Sequence, residues 1–157
     1  MKSKTFKAIL AGCGAVGAVA TVCLEDYLEL RGIGYQLSGA GAAVMGLVLD
    51  RASTVYALYQ DKRYYRLTGK HKVFESNPLI PYHPTTEDVL GLSEKADFVN
   101  FLQIASIGLS FAFPPAGYGI LTSLSVATGK NLGIAKRAKQ DVELIQGDNG
   151  LEGRVSD

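Results

Sequence analysis

The distribution of charges constrains the fold of this chain more than any other feature. Three long runs contain no Asp, Glu, Lys or Arg: residues 8–24, 32–49 and 98–129. A soluble amphipathic helix carries charged or polar side chains on its outer face at every turn. The lack of charge over such long runs therefore predicts helices that are apolar on all sides, as in a membrane protein.

The first uncharged run also fits a dinucleotide-binding turn. Gly12, Gly14 and Gly17 have G-x-G-x-x-G spacing, with a strand expected over 6–11. A second strand, expected over 33–37, would have to end at an Asp or Glu that holds the ribose, and none is present. No strand–helix alternation follows downstream. We keep a Rossmann-like nucleotide-binding protein as a weaker alternative.

The same run contains a possible lipid-attachment box, Leu-Ala-Gly-Cys, at residues 10–13. A signal peptide needs about 7–15 apolar residues before its cleavage site, and only five separate Lys7 from Cys13. The residues after Cys13 also stay apolar where a lipoprotein has a polar tether. Lipidation of Cys13 and cleavage after residues 18–20 remain alternatives to a retained helix.

A membrane-spanning helix accounts best for the first run. Seventeen uncharged residues lie near the lower limit for crossing the hydrocarbon core. Basic residues precede the run and acidic residues follow it, which orients the N-terminus towards the cytoplasm. Gly14 and Ala18 belong to a set of small residues one turn apart that allows close helix packing. On this interpretation the glycines are packing residues.

The rest of the chain divides at prolines and at charged segments. The second run is expected to continue as a helix to Gln60, followed by a basic stretch over 62–72. Thr85-x-x-Asp88 predicts a capping box that opens a new helix. A single helix over 98–129 would be about 48 Å long, too long for a core of about 30 Å. Pro114 and Pro115 are therefore expected to divide this run into two helices.

These features predict an all-α integral membrane protein of about four transmembrane or re-entrant helices, with both termini cytoplasmic. The expected single domain covers residues 1–146, and the tail over 147–157 is expected to be disordered. The expected helices lie near residues 8–30, 36–60, 87–113 and 116–145. Twelve of the 16 Lys and Arg residues then fall on the cytoplasmic side. The expected location is a bacterial inner membrane, or that of a phage's host.

One local pattern combines an acidic residue and a threonine with a later E-x-N-P motif. Asp50 and Thr54 are one helical turn apart, and Glu75, Asn77 and Pro78 form the motif. With Tyr82-His83-Pro84 and Val89 downstream, this pattern resembles a family of small phage and bacterial membrane proteins without an established activity. The likeness covers residues 50–101, about a third of the chain, and departs from the family at Ile80-Pro81 and at the basic insert before the motif. The resemblance implies a membrane setting and a phage origin.

The candidate functional residues are therefore Asp50, Thr54, Glu75, Asn77 and Pro78. One hypothesis makes Asp50 and Glu75 an ion or proton site, since carboxylates inside membranes are usually functional. The alternative is that the E-x-N-P residues build a turn at the membrane surface.

No catalytic motif is present, so we expect no enzymatic activity, cofactor or metal. The net charge of +1 gives no argument for nucleic-acid binding. The expected partners are the lipid bilayer and further copies of the chain, through small-residue helix faces. The leading functional hypothesis is an interaction or assembly protein, and the alternative is a holin-like pore-forming lysis protein.

Overall fold

The computed structural model describes residues 3–28, 31–72 and 84–152. All regular structure within these ranges is helical, which confirms the all-α class. The helices are α1 (Ser3–Leu28), α2 (Ile33–Thr68), α3 (Thr86–Leu90), α4 (Asp97–Ala112) and α5 (Pro114–Glu152), with a 3₁₀ turn over Glu94–Ala96.

Helix α5 is the centre of the fold because it contacts α1, α2 and α4. It runs parallel to α2. Gly39 of α2 lies beside Gly117 of α5, and the later α2 residue Thr54 accepts a hydrogen bond from the later α5 residue Asn131. Residue numbers therefore rise together along the two helices.

Helix α1 runs antiparallel to α5. Gly14 of α1 lies beside Gly119, whereas the earlier residue Leu10 accepts a hydrogen bond at 3.0 Å from the later Ser123. Among the described helices, α1 contacts α5 alone. The packing of α1 therefore depends on this one interface.

Helix α4 runs antiparallel to α2. Near its start Asn100 contacts Arg51, and near its end the Ser110 carbonyl lies beside Gly39. The beginning of α1, the beginning of α4 and the second half of α5 therefore lie at one end of the bundle. The ends of α1 and α4 and the beginnings of α2 and α5 lie at the other end.

Glycines allow the backbones of these helices to approach each other closely. A Cβ added at Gly117 would overlap the carbonyl of Gly39, and one at Gly119 would lie 2.8 Å from the carbonyl oxygen of Gly14. A Cβ at Gly46 would lie 3.0 Å from the Cα of Leu121. Gly14 and Gly17 are thus packing residues inside a continuous helix, as predicted, whereas nothing lies within 4 Å of a Cβ added at Gly12, so the predicted packing role is not seen there.

The helix directions bring the uncharged runs to one level. Residues 8–24 of α1, 33–49 of α2, 98–112 of α4 and 114–129 of α5 lie side by side. At about 1.5 Å per residue they form a layer roughly 25 Å thick, which we call the apolar layer. Its exposed large side chains include Ile9, Val16, Val19, Val22, Leu24, Leu37, Val44, Met45, Val48, Phe101, Ile104 and Leu109.

Helices α2 and α5 continue beyond this layer as a pair. We call residues 50–68 and 130–152 the two-helix projection. Ala57 and Ala135 are fully buried between its helices, with Leu58 and Ile134 packed against them. The projection holds most of the charged residues of both helices, so each helix has an apolar half and a charged half.

Two sequence predictions about helix boundaries are confirmed. Helix α4 ends at Ala112 and α5 begins at Pro114, so the proline pair does divide the third run. The Thr85 hydroxyl accepts from the Asp88 N–H at 3.2 Å, and the Thr85 N–H donates to the Asp88 carboxylate at 2.9 Å. This is the predicted capping box.

Other boundaries differ from the prediction. Residues 6–11 are helical where the dinucleotide-binding alternative required a strand, because this apolar segment packs against α5 as part of α1. The helix expected over 87–113 is interrupted at Gly91, which has a left-handed φ of 77° and ends α3. Helix α2 continues to Thr68, because the first helix-ending glycine is Gly69, with a φ of 67°. Helix α5 continues to Glu152, beyond the expected end at 145.

By length and composition, one described segment is a candidate membrane span: residues 7–24 of α1, with a mean hydropathy of 1.8. Helix α4 is apolar but shorter. A segment of this kind near an N-terminus is also compatible with a signal sequence.

Replacing Gly117 with alanine is expected to destabilise the bundle by about 1–3 kcal/mol, because the added methyl group forces α2 and α5 apart. Gly133→Ala in the same helix is the matched control, since nothing lies within 4 Å of its added Cβ. The control should be neutral or stabilising by up to about 1 kcal/mol. Thermal unfolding followed by circular dichroism measures both, and equal effects would contradict the close contact.

Candidate functional site

Two of the predicted site residues, Asp50 and Thr54, lie together at the edge of the apolar layer. The side-chain amide of Asn131 on α5 lies 2.9 Å from the Thr54 hydroxyl, 3.2 Å from that of Ser53 and 3.5 Å from the Asp50 carboxylate. Both hydroxyls donate to the Asp50 carbonyl at 2.9 Å. We call these four residues the Asn131 cluster.

The Asn131 cluster joins α2 to α5 at one defined register. Ser53 is 4% exposed, and the other three members are partly buried. Because each hydroxyl donates within its own helix, its oxygen is oriented to accept from Asn131 across the interface. Sliding either helix by one turn would separate these groups. The cluster therefore fixes the relative position of the apolar layer on the two longest helices.

Arg51, which follows Asp50 on α2, forms a second polar network on a different face of the helix. Its guanidinium donates to the Leu90 carbonyl at 3.1 Å, to Asn100 Oδ1 at 2.9 Å and to Gln103 Oε1. Asn100 in turn donates to the Gly91 carbonyl at 2.9 Å. Arg51 thus connects α2 with the end of α3 and the start of α4.

A third network lies at the far end of α2, where the chain turns back after Gly69. The carboxylate of Asp61, 4% exposed, accepts from the Lys72 N–H at 2.5 Å and lies 2.6 Å from His71 Nδ1. The His71 ring stacks on Tyr65, with ring centroids 4.2 Å apart.

The side chain of Lys72 extends this third network to the other helix. It forms an ion pair with Asp141 of α5, and its ammonium lies 4.4 Å from the centre of the Tyr64 ring. The segment after α2 is therefore tied to both helices of the projection.

Sequence reasoning missed the third network. The sequence analysis did not single out His71, because Asp61 is ten residues earlier and the second helix was expected to end at Gln60. Gly69 was the available signal: a glycine that ends a helix in the left-handed region turns the chain back over the preceding turns. Such a turn brings residues 71 and 72 back towards Asp61.

The structure brings Asp50 and Thr54 together with Asn131, a residue that the sequence analysis did not single out. Glu75, Asn77 and Pro78 lie outside the described residues. A site formed by Asp50 and Glu75 therefore stays a prediction. Within the described ranges, no group of three or more His, Cys, Asp or Glu side chains is arranged to hold a metal.

Comparisons with protein-family models, curated proteins and solved structures found no significant match to this chain. The resemblance to phage and bacterial membrane proteins therefore stays a prediction, based on its short motifs. The fold and the three polar networks are therefore the features of this chain that bear on its function.

Asn131→Ala and Thr54→Val are expected to show a coupling free energy of about 0.5–1.5 kcal/mol in a double-mutant cycle, because they remove two ends of one hydrogen bond between helices. The control cycle pairs Asn131→Ala with Ser125→Ala, whose exposed hydroxyl donates to Leu121 of its own helix. Coupling in the control cycle should be near zero. Equal coupling in the two unfolding cycles would contradict the interhelical role of Asn131.

Asp61→Ala is expected to release the segment around Lys72 from α2, because it removes the acceptor of the Lys72 N–H and the partner of His71. Tryptic cleavage after Lys72 in the folded protein should then become roughly fivefold faster or more. Glu143→Ala removes an exposed carboxylate of the same projection and serves as the control. An unchanged cleavage rate in Asp61→Ala would show that Asp61 does not hold this segment.

Proposed function

We propose that this protein is a small polytopic membrane protein without enzymatic activity, whose two-helix projection presents an interaction surface on the cytoplasmic side. The observation that carries the proposal is the apolar layer. Four uncharged helical segments lie at one level, and three of them, on α1, α2 and α4, expose large aliphatic and aromatic side chains outward. Soluble monomers rarely expose a contiguous apolar surface of this extent.

The thickness of the layer supports this proposal. About 25 Å is close to the hydrocarbon thickness of a thin bilayer, and local thinning of the bilayer makes up the remaining difference. Tyr56 and Tyr59 follow the layer on α2 and are 41% and 58% exposed. Tyrosines with exposed rings are enriched at the interface between hydrocarbon and water.

The distribution of charge supports a cytoplasmic projection. The basic residues of α2 beyond Leu49 and of α5 beyond Gly129 lie at one end of the bundle, at the same end as the start of α1. At the opposite end of the bundle, Arg31 is the one basic residue among those that the structure describes. The positive-inside rule then assigns the projection to the cytoplasm of a bacterial, or phage-infected, cell.

An interaction or assembly role follows from the shape of the projection. The projection extends two packed helices and the tied segment at His71 beyond the layer, with exposed charged side chains on both helices. Surfaces of this kind bind other proteins through charge complementarity. We propose that the projection binds a cytoplasmic protein that belongs to the same assembly as this chain.

A holin-like pore remains the alternative, but no particular contact favours it. Gly14, Gly39 and Gly46, which belong to the small-residue helix faces on which the expected oligomer was based, contact α5 of the same chain. A homo-oligomer would have to use other small residues, such as Gly12 and Gly108, which have open space beside them.

The proposal is tested by expressing the chain with a small tag at either end and washing the membranes with alkaline carbonate. We expect the protein to remain in the membrane pellet, because four apolar segments cannot be released by removing ionic contacts. Recovery in the wash or in the soluble fraction would contradict the proposal.

The orientation is tested with single-cysteine variants in a background in which Cys13 and Cys23 are replaced by alanine. Arg31→Cys should react with an impermeant maleimide added to intact spheroplasts, and Lys70→Cys should react only after lysis. The positive-inside rule gives this expectation. The reverse labelling pattern would invert the orientation, and labelling of both positions from outside would contradict the four-helix arrangement.

A further inference from the structure

We propose that the groove between α2 and α4 binds one anionic phospholipid of the surrounding bilayer. The lipid phosphate would lie on the guanidinium of Arg51, and one acyl chain would lie along the groove. This inference rests on the proposed membrane location. It adds a specific ligand and a specific residue, neither of which the membrane location requires.

The shape and lining of the groove fit a hydrocarbon chain. The groove has a volume of about 410 Å³ and is lined by Val44 and Val48 of α2 and by Ile104 and Ile107 of α4, with Arg51 at one end. The distance along α2 from Arg51 to Val44 is about 10 Å. Val48 is 56% exposed and Ile104 is 70% exposed, so the groove opens sideways at the surface of the apolar layer. A chain can therefore enter from the bilayer.

The charge at the end of the groove selects an anion. Arg51 donates to three acceptors, all of them neutral: a carbonyl and two side-chain amides. Within the described ranges, no ion pair joins Arg51 to a carboxylate. The adjacent Asp50 faces Asn131 on another face of α2. The positive charge of Arg51 is therefore not neutralised by a direct ion pair within the part of the protein that the structure describes.

The guanidinium is also positioned to receive a phosphate. It has five N–H donors, and the three recorded bonds come from its two terminal nitrogens. The Nε–H and one further N–H are not used in these bonds. The three acceptors fix the plane of the group in advance, and arginine favours phosphate because its donors match two phosphate oxygens.

The level of Arg51 in the fold favours a lipid over a soluble phosphate. Arg51 lies two residues after Leu49, where the uncharged run of α2 ends. Asn100 lies near the start of the uncharged run of α4. Both therefore lie where the apolar layer ends, which is the level of lipid headgroups in the proposed membrane. A phosphate bound there would have its acyl chains directed along Val48 and Val44.

The binding test uses a tryptophan reporter, because the chain has no tryptophan of its own. Phe101→Trp places the reporter at the rim of the groove, one turn from Ile104, without altering a residue that lines it, and Val16→Trp places a control on the exposed face of α1. Each variant is reconstituted in vesicles that contain brominated phosphatidylglycerol or brominated phosphatidylcholine, whose acyl bromines quench tryptophan fluorescence.

We expect the groove reporter to prefer phosphatidylglycerol by roughly fivefold in apparent binding constant, and the α1 reporter to show no preference. Adding Arg51→Gln to the groove reporter should reduce the preference to about one. Arg31→Gln, at the opposite end of the bundle, should leave it unchanged. Equal quenching by the two lipids at the groove, or a preference that survives Arg51→Gln, would overturn the proposal.

Because Arg51 also ties α3 to α4, a second variant separates binding from folding. Val48→Phe fills the exposed side of the groove while leaving Arg51 and its three acceptors in place. It should also abolish the preference, and an unchanged preference would overturn the proposal. Free fatty acid that displaces phosphatidylglycerol at equal concentration would likewise overturn the assignment of a phospholipid.

Failure of the membrane proposal gives a different result. In that case neither reporter would be quenched by brominated acyl chains, since the protein would not enter the vesicles. Quenching of both reporters without a headgroup preference would leave the membrane location intact and overturn the lipid site alone.

Discussion

The contact between the backbones of α2 and α5 at Gly39 and Gly117 determines the rest of the arrangement. Because neither residue has a side chain, the two helices meet at a distance that no other pair of residues permits. Helix α5 also packs closely against α1, where Gly119 lies beside Gly14. Helix α5 thus packs neighbours on two sides through its first turns, and the bundle forms around that short segment.

The level of every uncharged run follows from these contacts. Once α5 is parallel to α2 and antiparallel to α1, the runs of all three helices coincide, and Arg51 holds α4 at the same height. The Asn131 cluster then fixes the register of α2 and α5 at the edge of the layer. Polar contacts between helices are favourable there because the competing water is limited. The glycine contacts and the polar edge therefore define one apolar layer with the two-helix projection at one end.

The sequence predicted much of this fold from simple physical rules. Uncharged runs predicted the helices, Pro114 predicted the break, and the capping box of Thr85 predicted the start of α3. It did not predict that α2 would extend through the basic stretch, because charged residues are compatible with both helix and loop. The partners of Asp50 depend on the register between two helices, which no local pattern encodes. Those of Asp61 depend on the turn after α2, for which Gly69 is the local signal.

The most direct test of the central claim, that four segments share one level within lipid, is the depth of spin labels in reconstituted vesicles. Labels at Val16, Met45 and Leu109 probe α1, α2 and α4 near the middle of the layer, and labels at Leu67 and Leu144 probe the projection. We predict high oxygen accessibility and low accessibility to a water-soluble nickel complex at the first three sites, and the reverse at the other two. Nickel accessibility at Met45 or Leu109 equal to that at Leu67 would contradict the account.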